Sequence, residues 1–180
     1  LGPGGDIDSI DTFTVNAGDV HATGFDIDAR WRLKLGSDRV DVGLQGTYFS
    51  KYDETSPGGA ISRKVGTLVD ANGDPVIGAN AGGVILRWKS VLSVSYTAPA
   101  WSVTLAQNHS SRYETGFRQI DGERNWIGAQ DLYDLSGSYT GIKGLRLTLG
   151  ARNILNEKPK GVFVPVSNQF QAGYDVTQYD

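Results

Sequence analysis

Asp70-Ala71-Asn72-Gly73-Asp74 sets oxygen donors at alternate positions, the D-x-N-x-D opening of a calcium loop. The sixth position, where such a loop needs a glycine for its sharp turn, is Pro75. The twelfth, where it needs a bidentate glutamate, is Ala81. What remains is an Asn-Gly, Asp-Pro turn. His21 and His109 are the only histidines, far apart in sequence, and there is no cysteine, so no metal site is expected. No G-x-S-x-G, phosphate-loop or G-x-G-x-x-G pattern occurs. Ser136-Gly137-Ser138 falls within a strand-like run, without the strand-to-helix turn that a nucleophile needs. The expectation is no enzyme and no cofactor. Binding chemistry is better represented. Arg63, Lys64, Arg112, Tyr113, Arg118, Arg124 and Trp126 lie in or beside polar, irregular stretches. Guanidinium, ammonium and aromatic groups of this kind suit an anionic or aromatic ligand.

The element that organises the chain is 24–35, GFDIDARWRLKL. Phe25, Ile27, Ala29, Trp31, Leu33 and Leu35 share one parity. Asp26, Asp28, Arg30, Arg32 and Lys34 share the other. A period of two is a β-strand between two different environments. A slip of one residue would exchange the charges for the apolar groups, so the register is specified. The charged face can line a path or pair internally; it cannot face lipid, where a central Arg or Lys costs ~2–4 kcal/mol.

The same pattern recurs. A second strand is predicted over 40–52, with Val40, Val42, Leu44, Gly46, Tyr48 and Tyr52 on one parity and Phe49 as the exception. The breaker cluster 53–59 should end it. Strands are predicted over 84–97, from Trp101 toward Tyr113, over 130–140 and over 145–153. The short connections are 36–39, 98–100 and 141–144. The long ones are 53–83, 114–129 and 154–180, read as loops apart from a small β-excursion at Asn72-Gly73. Upstream, 12–15 is a short β-prone run, and 16–19 interrupts it as a bulge or irregular turn.

Short and long alternate strictly, the habit of an outer-membrane barrel with short turns at one rim and long loops at the other. Aromatics fall in two belts. Tyr96, Trp101 and Tyr139 sit by the short turns. Phe25, Tyr48, Trp88 and Tyr133 sit toward the long loops. The eight-residue spacing of Tyr48 from Val40 and of Tyr96 from Trp88 gives roughly 20 Å of height in a tilted strand. No run approaches the ~18 apolar residues of a membrane helix, a test that barrels escape. The net charge of −3 is dispersed, so nucleic acid is not an expected partner. The fold class is all-β, an antiparallel transmembrane β-barrel. About six strands are visible here, fewer than the eight that close the smallest such barrels. Residues 1–180 are therefore read as part of a larger one.

Three stretches resemble the TonB-dependent outer-membrane receptors. Residues 16–28, NAGDVHATGFDID, are similar to the N-x-G…G-x-E/D lead-in to a late barrel strand. Residues 84–101, VILRWKSVLSVSYTAPAW, resemble an RW-(K/R)…L…Y…W hairpin. Residues 135–159, LSGSYTGIKGLRLTLGARNILNEKP, followed by 168–180, NQFQAGYDVTQYD, resemble the penultimate hairpin and last external loop, with G-x-R-N-(I/L)-(L/F)-(N/D)-x-x-P and then Y-D…Y-D. The resemblance implies roughly the last quarter of a barrel of about 22 strands, without its plug and final strand. It implies a transporter in the outer membrane of a Gram-negative bacterium, taking up a scarce nutrient, a ferric siderophore above all. Implied partners are outer-membrane lipid, the plug and remaining strands, the TonB complex through the N-terminal part, and the small-molecule ligand. In that setting the seven loop residues named above become ligand contacts. The alternatives are a passive porin or adhesin barrel, and a soluble all-β binding module.

Overall fold

The computed structural model describes residues 18–56, 58–69, 84–118, 122–160, 162–166 and 169–173, with side chains described for all of these except 116–118 and the last two segments. Every regular element among the described residues is a strand. The chain runs β1 (Asp19–Leu35), β2 (Asp38–Thr55), β3 (Ile61–Arg63), β4 (Trp88–Thr97), β5 (Trp101–Ser110), β6 (Tyr113–Arg118), β7 (Arg124–Ile127), β8 (Gln130–Tyr139), β9 (Leu147–Ala151), β10 (Val162–Val166) and β11 (Gln169–Gly173). One antiparallel sheet holds the order β1-β2-β4-β5-β8-β9, with β3 also on β2. β6-β7 and β10-β11 are separate hairpins.

The registers join the predicted faces into two continuous surfaces. Phe25 opposes Tyr48, Ala29 opposes Leu44, Trp31 opposes Val42 and Leu33 opposes Val40. Across the next ladder Tyr48 opposes Trp88, Leu44 opposes Leu92, Val42 opposes Val94 and Val40 opposes Tyr96. Leu105 continues the row to Leu135, and Leu135 to Ala151. Many of these side chains are open: Phe25 is 56%, Trp31 57% and Leu149 83% exposed. Among the described residues only Tyr113 and Ile127 are buried apolar side chains. A soluble domain buries its apolar face against a second layer. This sheet is a single layer, and its apolar face meets the surroundings directly.

The opposite face is polar and pairs with itself. Arg32 and Arg39 both reach Asp41, at 2.6 and 2.5 Å. Thr47 donates to Asp26 at 2.6 Å, and Ser102 meets Ser138 at 2.9 Å. The short connections β1-β2, β4-β5 and β8-β9 lie along one rim, and the long connections lie along the other. The two aromatic belts form as expected. Phe25 and Tyr48 stack at 5.1 Å at the long-loop rim, and Tyr96 and Trp101 meet at 5.1 Å at the short-turn rim.

Several boundaries differ from the sequence reading. β2 continues through the breaker residues to Thr55, because β3 folds back and pairs Asp53 with Arg63 and Thr55 with Ile61. β4 begins at Trp88, so 84–87 precede it; Ile85 forms an isolated parallel bridge with Val65. The stretch 114–129 carries the β6-β7 hairpin, and 154–180 carries β10-β11. Tyr52 leaves the apolar face. Ser50 has no partner across the ladder, where Thr23 opposes Lys51 and Gly24 opposes Phe49. This bulge exchanges the faces beyond it, so Tyr52 and Phe49 lie together on the polar side. The run 12–15, residues 16–17, Asn72-Gly73, the calcium-like Asp70–Asp74 and the final 174–180 lie outside the described residues.

Candidate functional site

At the long-loop rim the connections build on one another through backbone hydrogen bonds. Lys64 N–H donates to Tyr52 O at 2.9 Å, Ile85 N–H to Lys64 O at 3.0 Å, and Gly66 N–H to Ile85 O at 2.8 Å. Glu114 N–H donates to Gly66 O at 2.9 Å, and Leu68 N–H to Glu114 O at 3.0 Å. Segments from two different loops thus form a small ladder that no local period announces. Tyr113 and Ile127 are its core, with Leu68, Val84 and Leu86 packed against them.

The sequence-selected residues separate within this cluster. Tyr113 is 1% exposed and belongs to the core. Lys64 is also buried and places its ammonium 3.0 Å from Glu54. Arg63 is exposed on β3. Arg112 lies 5.0 Å from the centre of the Trp126 ring, a cation–π contact on the outside of the β6-β7 hairpin. Arg124 is 3.6 Å from Glu114, and its backbone pairs with Arg118, whose side chain lies outside the described residues. The structure therefore gathers Arg112, Arg124 and Trp126 on one hairpin and leaves Arg63 on another element. Glu114 was missed by the sequence reading. Its carboxylate takes Thr67 Oγ1 at 3.3 Å and Arg124, so a buried acid joins both loops. Two residues in loops 47 positions apart carry no sequence signal of their meeting.

Below the loops, on the polar face of the wall, lies a hollow of about 1050 Å³. Residues 84–86 are part of its lining. Asp134 lies on its wall and accepts from Asn108 Nδ2 at 2.9 Å and from the Asn153 N–H at 2.8 Å. Asn153 in turn exchanges two hydrogen bonds with the Glu157 backbone, at 2.8 and 3.0 Å, and holds a left-handed φ of 49°. The R-N-I-L-N stretch thus works as a turn that stops β9 and anchors it to β8, a conformation that asparagine tolerates better than most residues.

Among the described residues no cluster of His, Asp or Glu is arranged to hold a metal ion. Among the described residues no helix is long and apolar enough to cross a membrane, which leaves crossing by strands open. No curated protein and no solved structure matches the chain. A family model, TonB dependent receptor-like, beta-barrel, matches residues 1–154. That match spans most of the chain and agrees with the two-faced antiparallel wall, its paired aromatic rows and its one-sided long loops. The chain belongs to the TonB-dependent receptor-like β-barrel family, whose members are outer-membrane receptors for TonB-dependent transport and not enzymes.

Proposed function

We propose that residues 1–180 are the C-terminal wall portion of a receptor that actively takes up a scarce nutrient, a ferric siderophore, into a Gram-negative cell. The carrying observation is the single-layer sheet whose apolar face carries exposed large side chains on β1, β4, β5, β8 and β9 while the long loops gather at one rim. Such a face is stable where lipid replaces a core. β1 and β9 are the edges of this sheet. An unpaired edge in lipid leaves backbone groups without partners, so further strands complete the wall, to about 22 in all. A plug inside the barrel links transport to the TonB complex. On the loops, Arg63, Arg112, Arg118, Arg124 and Trp126 meet the ligand; Lys64 and Tyr113 hold the shape of the loops beneath them.

The test is uptake of radioiron as a siderophore complex by cells producing the whole receptor, with and without functional TonB. Uptake that requires TonB supports the reading. Equal uptake in both strains would leave a passive barrel. Sequencing the coding DNA on either side adds an independent check: a plug domain upstream and a further strand downstream are expected.

A further inference from the structure

The apolar face stops sooner on β5 and β8 than on the strands beside them. From Phe25 to Leu35 the outward side chains of β1 are all apolar, and from Val40 to Tyr48 those of β2 are apolar, aromatic or glycine. On β4, from Trp88 to Tyr96, Ser90 is the exception. On β5 the outward row is Trp101, Val103 and Leu105, then Gln107 and His109. On β8 it is Tyr139, Gly137 and Leu135, then Tyr133 and Asp131. The registers set Gln107 between Leu92 and Tyr133, and His109 between Ser90 and Asp131. Gln107, His109, Asp131 and Tyr133 thus form one polar patch on the outward face, toward the long-loop rim. Tyr133 stands in the aromatic belt of that rim, the level at which an apolar band gives way to the interface.

The patch is bonded internally and keeps further capacity. Gln107 Nε2 donates to Asp131 Oδ1 at 2.9 Å and to the Tyr133 hydroxyl oxygen at 3.2 Å. His109 Nδ1 lies 2.8 Å from the same Asp131 oxygen. Among the described residues, Asp131 Oδ2, Gln107 Oε1, His109 Nε2 and the Tyr133 hydroxyl proton have no partner. Directly beneath, Leu92, Leu105 and Leu135 are exposed. No Lys or Arg stands on the outward parity of β4, β5, β8 or β9.

This layering selects its occupant. Exposed leucines under a polar patch match an amphiphile, with acyl chains below and a head above. A phosphate head would meet the Asp131 carboxylate with no Lys or Arg to offset the repulsion. A polyhydroxyl head gives donors to Asp131 and Gln107 and accepts from the Tyr133 hydroxyl. We infer that this patch seats the saccharide head of one glycolipid of the surrounding leaflet, held through its hydroxyl groups by Gln107, His109, Asp131 and Tyr133, with its acyl chains on Leu92, Leu105 and Leu135. The patch is continuous with the apolar lipid face, which makes a lipid its occupant and not a second protein. The inference rests on the membrane reading of the wall and is independent of what the receptor transports.

The experiment places the whole purified receptor in nanodiscs of phosphatidylcholine, phosphatidylglycerol and digalactosyl diacylglycerol in equal parts, and counts the lipids it retains by native mass spectrometry. The galactolipid is expected to be retained about tenfold over either phospholipid. Gln107→Leu and Asp131→Asn are each expected to bring the three lipids close to parity, while Ala29→Leu, on the same face of β1, leaves the preference intact. Retained heat-modifiable mobility shows that the variants fold. A galactolipid preference unchanged in both patch variants overturns the patch as its seat. Phosphatidylglycerol retained best overturns the saccharide assignment. Equal retention of all three by the unsubstituted receptor overturns the inference but leaves the membrane wall standing if deep brominated lipids still quench Trp31. Trp31 insensitive to bromine in a folded sample overturns the wall and the patch together.

Discussion

The rings of Phe49 and Tyr52 meet edge to face at 6.1 Å, three residues apart on one strand. Strict alternation would put them on opposite faces of the wall. The bulge at Ser50 puts them on the same face, and Ser50 Oγ caps it by donating to the Thr23 carbonyl at 3.1 Å. Above this bulge the hairpin leaves the aromatic belt and enters the loop region.

The orientation of the wall in lipid is open to a fluorescence measurement. Trp31 lies within the apolar band, Trp88 and Trp101 at its two margins, and Trp126 on the loop hairpin. Single-tryptophan versions of the whole receptor, reconstituted with brominated lipids, should show Trp31 quenched best by deep bromines. Trp88 and Trp101 should respond to shallow bromines, and Trp126 to neither. Equal insensitivity of all four in a folded sample contradicts a membrane wall.

The two faces should respond oppositely to charge. Ala29 is four residues from each of Phe25 and Leu33, in the middle of the apolar band. Ala29→Lys is expected to cost ~2–4 kcal/mol in unfolding from lipid. Its neighbour Arg30 is on the polar face, paired with Asp28 at 3.3 Å in an exposed setting. Arg30→Gln should cost less than about 1 kcal/mol. A reversed order would put lipid on the other face.

Two glycines in the same hairpin differ in what a methyl group would meet. At Gly24 a Cβ would lie 2.2 Å from the Tyr48 carbonyl oxygen, part of the backbone at the bulge. At Gly46 it would lie 2.4 Å from the far end of the Trp88 ring, which can swing aside. Gly24→Ala should therefore destabilise the barrel by about 1–3 kcal/mol. Gly46→Ala should cost less and shift the Trp88 emission instead. Denaturant unfolding with fluorescence detection reads both.

Glu114 couples two loops, so its removal should loosen both. Glu114→Ala strips the carboxylate from Thr67 and Arg124. Amide hydrogen exchange at 64–69 and at 124–127 should accelerate together, by about tenfold or more, as expected when the buried charged acceptor between them is lost. Acceleration in the β6-β7 hairpin alone would show that the loops move independently.

The sequence by itself determined the wall. Residues 24–35 alternate so cleanly that only one register keeps Arg30 and Arg32 away from lipid, and the spacing of short and long connections arranges the strands before any contact is known. The family resemblance rests on the same local patterns, together with the R-N-I-L-N turn. Tertiary structure decided what happens at the rim. Thr67 and Glu114 meet, Lys64 finds Glu54, and Tyr113 becomes a core residue through contacts between distant segments, which have no period to betray them. It also decided the outward polar patch. His109 reads as a lone histidine in the sequence, and Gln107 and Asp131 pass without notice in their strands. Only the register between β5 and β8 brings the three into one place, because a cross-strand neighbour is set by pairing and not by proximity along the chain.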